Sequence, residues 1–318
     1  MYKLIFIIVS FLQAEYGAGY AGSGFRYGSN AKEVALGSAL VAEPNIGFSS
    51  FSNPASLSLA KSIQFGFSYQ DMSLDRSIQS FSFVKNLPPK AGIALSFLRA
   101  GTDNIQGKNS RNENTDILSS EEIQGLISFG VSFSSKFSMG LNIKTNFYNL
   151  IDEYNGSGIS GDIGFMYILN DQFVFASKVS DILGSYIWNI DLDGENRQYE
   201  EKFPSILALG FAYHALNDIK IFFQEDIIKA PEQSVNYRLR IGTEITLYNE
   251  IKLRLGVKQK RGLVNNSEII DWFNFKPLIG FEFPIKVWDN QFIYCAYALD
   301  PGAVNEGQSH IFSFSLNY

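Results

Sequence analysis

The sequence predicts an all-β protein, a transmembrane antiparallel β-barrel of about fourteen strands preceded by an N-terminal hatch. Three observations predict it. Apolar residues alternate with small, polar or charged ones over most of the chain, the breaks alternate between short and long, and the composition is unlike that of a helical membrane protein. Aromatics make up 15% of the 318 residues and charged residues 18%. Mean hydropathy is nevertheless close to zero, as expected when lipid-facing and lumen-facing side chains average out.

Residues 1–18 read as an export signal. Lys3 supplies the positive start and Leu4–Leu12 an apolar core too short to span a bilayer, with small residues at Ala14 and Ala18. Beyond it, no run approaches the ~20 apolar residues of a transmembrane helix. Residues 19–61 break the strand pattern and are expected to form the hatch. They are rich in glycine, including Gly28 and Gly37, and contain the turn-forming Asn53-Pro54-Ala55.

Residues 62–318 are expected to form the barrel. The alternation places strands over 62–70, 78–85, 91–99, 123–133, 136–147, 159–168, 172–180, 205–214, 218–225, 236–247, 250–258, 275–283, 291–298 and 309–318. Ile63, Phe65, Phe67 and Tyr69 share one face, and Gln64, Gly66, Ser68 and Gln70 the other. Long, polar breaks at 100–122, 148–158, 181–204, 226–235, 259–274 and 299–308 alternate with short turns. In outer-membrane barrels the short side is periplasmic, so an even strand count puts both termini there and the protein in the bacterial outer membrane. Tyr167, Tyr213, Tyr248, Trp288 and Tyr318 then fall near the periplasmic interface, where aromatics form girdles. The last strand ends on Tyr318, which looks like the C-terminal signal of such barrels.

The inner face carries charge. With a three-residue turn centred near Tyr248, Glu244 lies opposite Arg254, Thr246 opposite Lys252, and Arg240 opposite Lys258; similar reasoning sets Lys144 against Asp162. A one-residue slip would aim such bases at lipid, at roughly 2–4 kcal/mol each near the midplane. Two readings of this stripe stay open: a positive track for an anionic ligand, or a self-neutralising wall that braces the hatch.

Other chemistry finds little support. The two histidines, His214 and His310, are expected at opposite ends of the barrel, and with one cysteine, Cys295, they offer no metal constellation. The acids Asp191, Asp193, Glu195, Glu200 and Glu201 read as a solvated loop. No catalytic residue, metal or cofactor is expected, and a net charge of −6 argues against nucleic acid. On the outer loops, Tyr186, Trp188, Trp272 and Phe273 are candidate contact residues, with an interfacial girdle as the alternative.

Residues Phe25–Ala42, with Ala31-Lys32-Glu33 and Ala35-Leu36-Gly37-Ser38-Ala39, followed by Asn53-Pro54-Ala55, resemble the PorV/PorQ family within the wider FadL-like barrels. The chain departs from that pattern after Ala55, where Ser56-Leu57-Ser58 stands in place of an early glycine. The resemblance implies fourteen strands, an N-terminal hatch, and a role in type IX protein secretion with a translocon or exported protein as partner. The wider FadL-like plan implies instead a gated channel for hydrophobic small molecules, with an apolar pocket between hatch and wall. Outer-membrane lipid surrounds the barrel in either case.

Overall fold

The computed structural model describes residues 20–151, 154–192, 195–231, 235–259, 275–288, 291–302 and 307–318. The expected signal peptide, Trp272 and Phe273 lie outside them. One antiparallel sheet contains sixteen strands. The first half comprises β1 Gln64–Met72, β2 Arg76–Leu87, β3 Ala91–Lys108, β4 Asn114–Ser132, β5 Phe137–Ile151, β6 Tyr154–Ile168, β7 Phe173–Ile182 and β8 Ser185–Leu192. The second comprises β9 Glu195–Lys202, β10 Ser205–Leu216, β11 Ile219–Lys229, β12 Val235–Thr246, β13 Lys252–Gln259, β14 Phe275–Trp288, β15 Gln291–Asp300 and β16 Ser309–Asn317.

Fourteen of these close a ring. β1 pairs with both β2 and β16, β5 with β6, and β7 with β10. β8 and β9 form a hairpin that prolongs β7 and β10 beyond the ring, with β8 lying along the outer end of β6. Closure satisfies the backbone of every ring strand, which hydrocarbon demands.

The side chains explain why the ring sits in lipid. Along β1 the burial alternates without a break, with Gln64, Gly66, Ser68, Gln70 and Met72 inside. The outer surface exposes Phe67, Leu95, Ile127, Ile163, Leu209 and Leu255 on successive parts of the ring. A continuous apolar surface of that extent is a membrane-contact surface rather than a watery one. No described helix is long and apolar enough to cross a membrane. Together these place the chain among outer-membrane barrels.

The structure corrects the expected outer loops. Much of 100–122, 148–158 and 181–204 is strand: β3 spans 18 residues and β4 19, well past the lipid belt. Above the membrane both faces meet water, so the apolar alternation that marks a strand disappears while its hydrogen bonds persist. Residues such as Asn109 and Glu113 at the tip of β3–β4 are exposed on all sides.

Residues 20–63 lie against the inner face of the ring. They contain short helices α1 (Ala31–Ala35) and α2 (Ser49–Ser52) and 3-10 turns over Ser23–Arg26 and Pro54–Leu59. Asn30 caps α1 by accepting a hydrogen bond from Glu33 N (3.1 Å), and Glu33 reaches back to Ser29 N (2.9 Å) and Ser29 Oγ (2.7 Å). This reciprocal arrangement satisfies donors at the start of a helix too short to persist alone. Asn53 caps the second 3-10 turn through Ala55 N (3.0 Å), with Pro54 in the first position, where its missing N–H is no loss.

Candidate functional site

The hatch is docked at two opposite arcs of wall, and glycines make both possible. On the β3–β6 side, a Cβ at Gly92 would overlap Leu57, at Gly130 and Gly140 the Pro54 backbone, and at Gly164 the Asn53 side chain. On the β12–β14 side, a Cβ at Gly242 would stand 2.7 Å from Leu36 O, and Gly256 would overlap Gly37. Wall and hatch backbones therefore touch where no other residue would let them.

The sequence-derived hatch residues sit at this contact. Asn53 and Ala55 are fully buried; Asn53 Nδ2 donates to Val41 O (2.9 Å) and Phe165 O (3.2 Å). Gly37 adopts φ 66° against the carbonyls of Ile241 and Val257. Gly28, at φ 113°, accepts a hydrogen bond from Gln70 Nε2 (2.6 Å). Serines complete the interface: Ala31 N donates to Ser313 Oγ (2.8 Å), and Ser80 Oγ to Ser29 O (2.5 Å).

All seven residues of the charge stripe face inward, and every cation among them has a carboxylate within 4 Å. Lys144 meets Asp162 (2.6 Å) and Asp181 (2.9 Å). Arg254 lies between Glu244 and Glu282, at 2.8 Å from each, and Lys252 joins Glu282 at 3.1 Å. Arg240 pairs with Asp226, and Lys258 with Asp300 at 3.5 Å. The register around Tyr248 matches the expectation: Glu244 faces Arg254, Thr246 faces Lys252, and Arg240 faces Lys258. The like charges of that last pair are relieved by Asp226 on the adjacent β11 and by Asp300 on β15, two strands beyond Lys258. At β5–β6 the register differs by two residues: Asn142, not Lys144, faces Asp162. A shift of two keeps the face unchanged, and the long lysine closes the gap diagonally.

One ionic cluster was not anticipated. Glu43 of the hatch, 6% exposed, meets Lys220 (2.7 Å), Lys32 (3.8 Å) and His214 Nε2 (3.7 Å). Burial alone would raise its carboxyl, but the nearby imidazole and two ammonium groups outweigh that and hold it at about 2. Glu43 stands in a stretch without periodicity, so nothing local marks its partners. Among the described residues, no three His, Cys, Asp or Glu converge as a metal site.

A cavity of about 130 Å³ separates hatch from wall. Leu40, Val41 and Phe51 of the hatch and Leu126 and Ile206 of the wall supply apolar surface. Beside them stand Lys144, Asp162, Asp181, Asp226 and Arg240. This departs from the purely apolar pocket that the FadL-like plan implied: the inward face of β5–β12 is charged, so any pocket it walls is amphipathic.

The outer aromatics require a correction. Tyr186 (0% exposed) and Trp188 (8%) are on β8 and point inward, packed with Phe203 and Ala21 and edged by Tyr148. Tyr186 meets Phe203 edge-on at 4.8 Å, and Trp188 Nε1 donates to Glu201 (2.8 Å). They are buried because β8 is a strand with its own inner face rather than an open loop. His310 faces outward beside Tyr297 and His214 faces inward beside Glu43, so the two share no site.

A closed, lipid-facing barrel with its own N-terminal segment packed against the inner wall defines an outer-membrane barrel. No family model matches the chain, and no curated protein matches it. Solved structures share its fold. The toluene transporter TbuX of Ralstonia pickettii aligns at TM-score 0.66 and 11% identity, covering 92% of this chain and 98% of that one. The toluene transporter TodX of Pseudomonas putida aligns at 0.60 and 13%, covering 91% and 96%. A FadL homologue of Pseudomonas aeruginosa aligns at 0.60 and 10%, covering 91% and 98%. The fold is therefore FadL-like.

Proposed function

We propose that this protein is a gated outer-membrane channel for small molecules with substantial apolar surface, the hatch being its gate. The observation that carries this reading is the cavity bounded by apolar hatch residues on one side and the barrel wall on the other. A molecule held there lies inside the ring, in contact with hatch residues Leu40, Val41 and Phe51. The fold shared with toluene transporters supports the same reading. No bond is made or broken; binding and displacement of the hatch are the whole mechanism.

Type IX secretion, implied by the PorV/PorQ resemblance, draws on Phe25–Ala42 and Asn53–Ala55 alone. Those residues serve hatch docking. The aromatics expected to contact a secretion partner include Tyr186 and Trp188, which are buried. We therefore prefer the channel.

The gate is testable by tying it shut. Ser50 Oγ of the hatch and Ser96 Oγ of β3 are 2.6 Å apart, so Ser50→Cys with Ser96→Cys, in a Cys295→Ser background, brings two thiols within bonding reach. Oxidation is expected to abolish uptake of labelled toluene into proteoliposomes, and reduction to restore it. Equal uptake in both states would mean that the hatch does not gate.

A further inference from the structure

One wall residue meets the hatch in a geometry that a neutral side chain does not satisfy. His214 stands near the periplasmic end of β10, between the turn that precedes β7 and Glu43 of the hatch. Its Nδ1 lies 3.1 Å from Asp171 O. A carbonyl oxygen only accepts, so Nδ1 carries the hydrogen, and in a neutral ring Nε2 is then a bare lone pair. That atom is buried, has no hydrogen-bond partner, and faces Glu43 Oε2 at 3.7 Å. Two acceptors confront each other there, at a separation too long for a hydrogen bond. A second proton changes the contact. The imidazolium donates from both nitrogens, to the wall through Asp171 O and to the hatch through Glu43.

The carboxylate has an oxygen left for it. Lys220 (2.7 Å) and Lys32 (3.8 Å) both approach Glu43 Oε1, while the imidazole faces Oε2. Charge surrounds His214 on several elements. Lys220 is its partner across the ladder on β11 and opposes a second positive charge, as does Lys32 of α1. Glu244 of β12 lies opposite Lys220 and offsets it, with Arg254 on its own far side at 2.8 Å. Asp171 and Asp218 sit in the turns before β7 and before β11 and favour the imidazolium. Lys136 is held by Leu169 O (3.2 Å) at the start of the first of these turns. Among all these contacts, the one at Oε2 needs a proton to become a bond.

We propose that His214 is a proton-operated lock on the hatch: the imidazolium bridges Asp171 O and Glu43 Oε2 and holds the hatch against the wall, and the neutral ring lets that hold go. This rests on the channel reading and adds the regulation of its gate. Each proton bound adds an attachment, so the lock is engaged in acid and lost as pH rises through the range in which histidine titrates. Glu43 is two residues from Val41, which lines the cavity, so the lock holds the hatch segment that a bound molecule touches.

The test is amide hydrogen exchange of the full-length protein in lipid nanodiscs, read by mass spectrometry over residues 40–47 and corrected for the intrinsic effect of pH on exchange. Opening of this segment is expected to be roughly tenfold rarer at about pH 5.5 than at about pH 8, the scale of one charge-assisted hydrogen bond. His214→Gln keeps a donor for Asp171 O but gains no charge, and should open alike at both pH values. Glu43→Gln should do the same. His310→Gln, on the lipid face beside Tyr297, should keep the pH dependence of the parent. Equal opening of the parent at both pH values, or a dependence that survives in His214→Gln, would overturn the proposal, and the parent alone decides where a variant does not fold. Uptake of labelled toluene, which has no titratable group, reports separately on the channel. Uptake with a hatch indifferent to pH sinks the lock and leaves the channel, whereas a pH-dependent hatch without uptake at either pH sinks the channel and leaves the lock on hatch docking.

Discussion

Arg254→Ala is expected to destabilise the barrel by roughly 3–5 kcal/mol, the usual cost of removing one partner from a buried ionic cluster. Arg254 is 1% exposed and holds Glu244 and Glu282 apart from each other's charge, at 2.8 Å from each. Without it two carboxylates face one another, with Lys252, the hatch Lys32 and Lys220, opposite Glu244 on β11, offsetting them in part. Urea unfolding in lipid vesicles, followed by tryptophan fluorescence, measures the loss. A double variant, Arg254→Met with Glu244→Gln, is expected to recover most of it, because Glu282 keeps Lys252 as its partner and no unpaired carboxylate then remains. An alanine variant as stable as the parent would mean that the cluster is hydrated and braces nothing.

The second large effect is expected at Gly140. Its inner face touches the Pro54 backbone so closely that even a methyl group would overlap it. Gly140→Leu must therefore push either the wall or the hatch, and the wall is held by ladders to β4 and β6. Overpacking of this kind costs about 1–3 kcal/mol, and the hatch is the part free to yield. In planar bilayers the parent is expected to be closed and the leucine variant to conduct in discrete steps. Leu141→Ile, one residue along on the lipid face, serves as the control and should stay closed. A Gly140→Leu variant that folds and remains closed would show that the seal does not depend on the Pro54 contact.

The barrel was legible because its strands separate two solvents. Phe67 against Ser68, or Leu141 against Asn142, records lipid on one side and a polar interior on the other, and any strand inside the bilayer must carry that record. The register near Tyr248 was legible too, since a short turn leaves few ways to pair β12 with β13. The outer extensions of β3 to β6 and the β8–β9 hairpin were not, because water on both faces erases the pattern.

Long-range pairing was hidden for a different reason. Asp226, Glu282 and Asp300 each alternate correctly within a strand, yet which base each one meets depends on neighbours far away in sequence. The docking of Asn53-Pro54-Ala55 against Gly130, Gly140 and Gly164 is the same case: the turn could be read, its partners could not. Tyr186 and Trp188 were misplaced outward because a polar loop and a water-exposed hairpin share one composition.

The central claim is that β1 and β16 meet to close a cylinder around the hatch, and cross-linking tests it most directly. Ser68 faces Ser313 across that seam, their hydroxyl oxygens 2.8 Å apart. With Ser68→Cys and Ser313→Cys in a Cys295→Ser background, mild oxidation of the folded protein in membranes should join the two ends quantitatively. The product should migrate differently from the reduced chain on a denaturing gel and return to it with reductant. Two thiols that stay free under those conditions, with the protein still folded, would mean that the first and last strands do not meet.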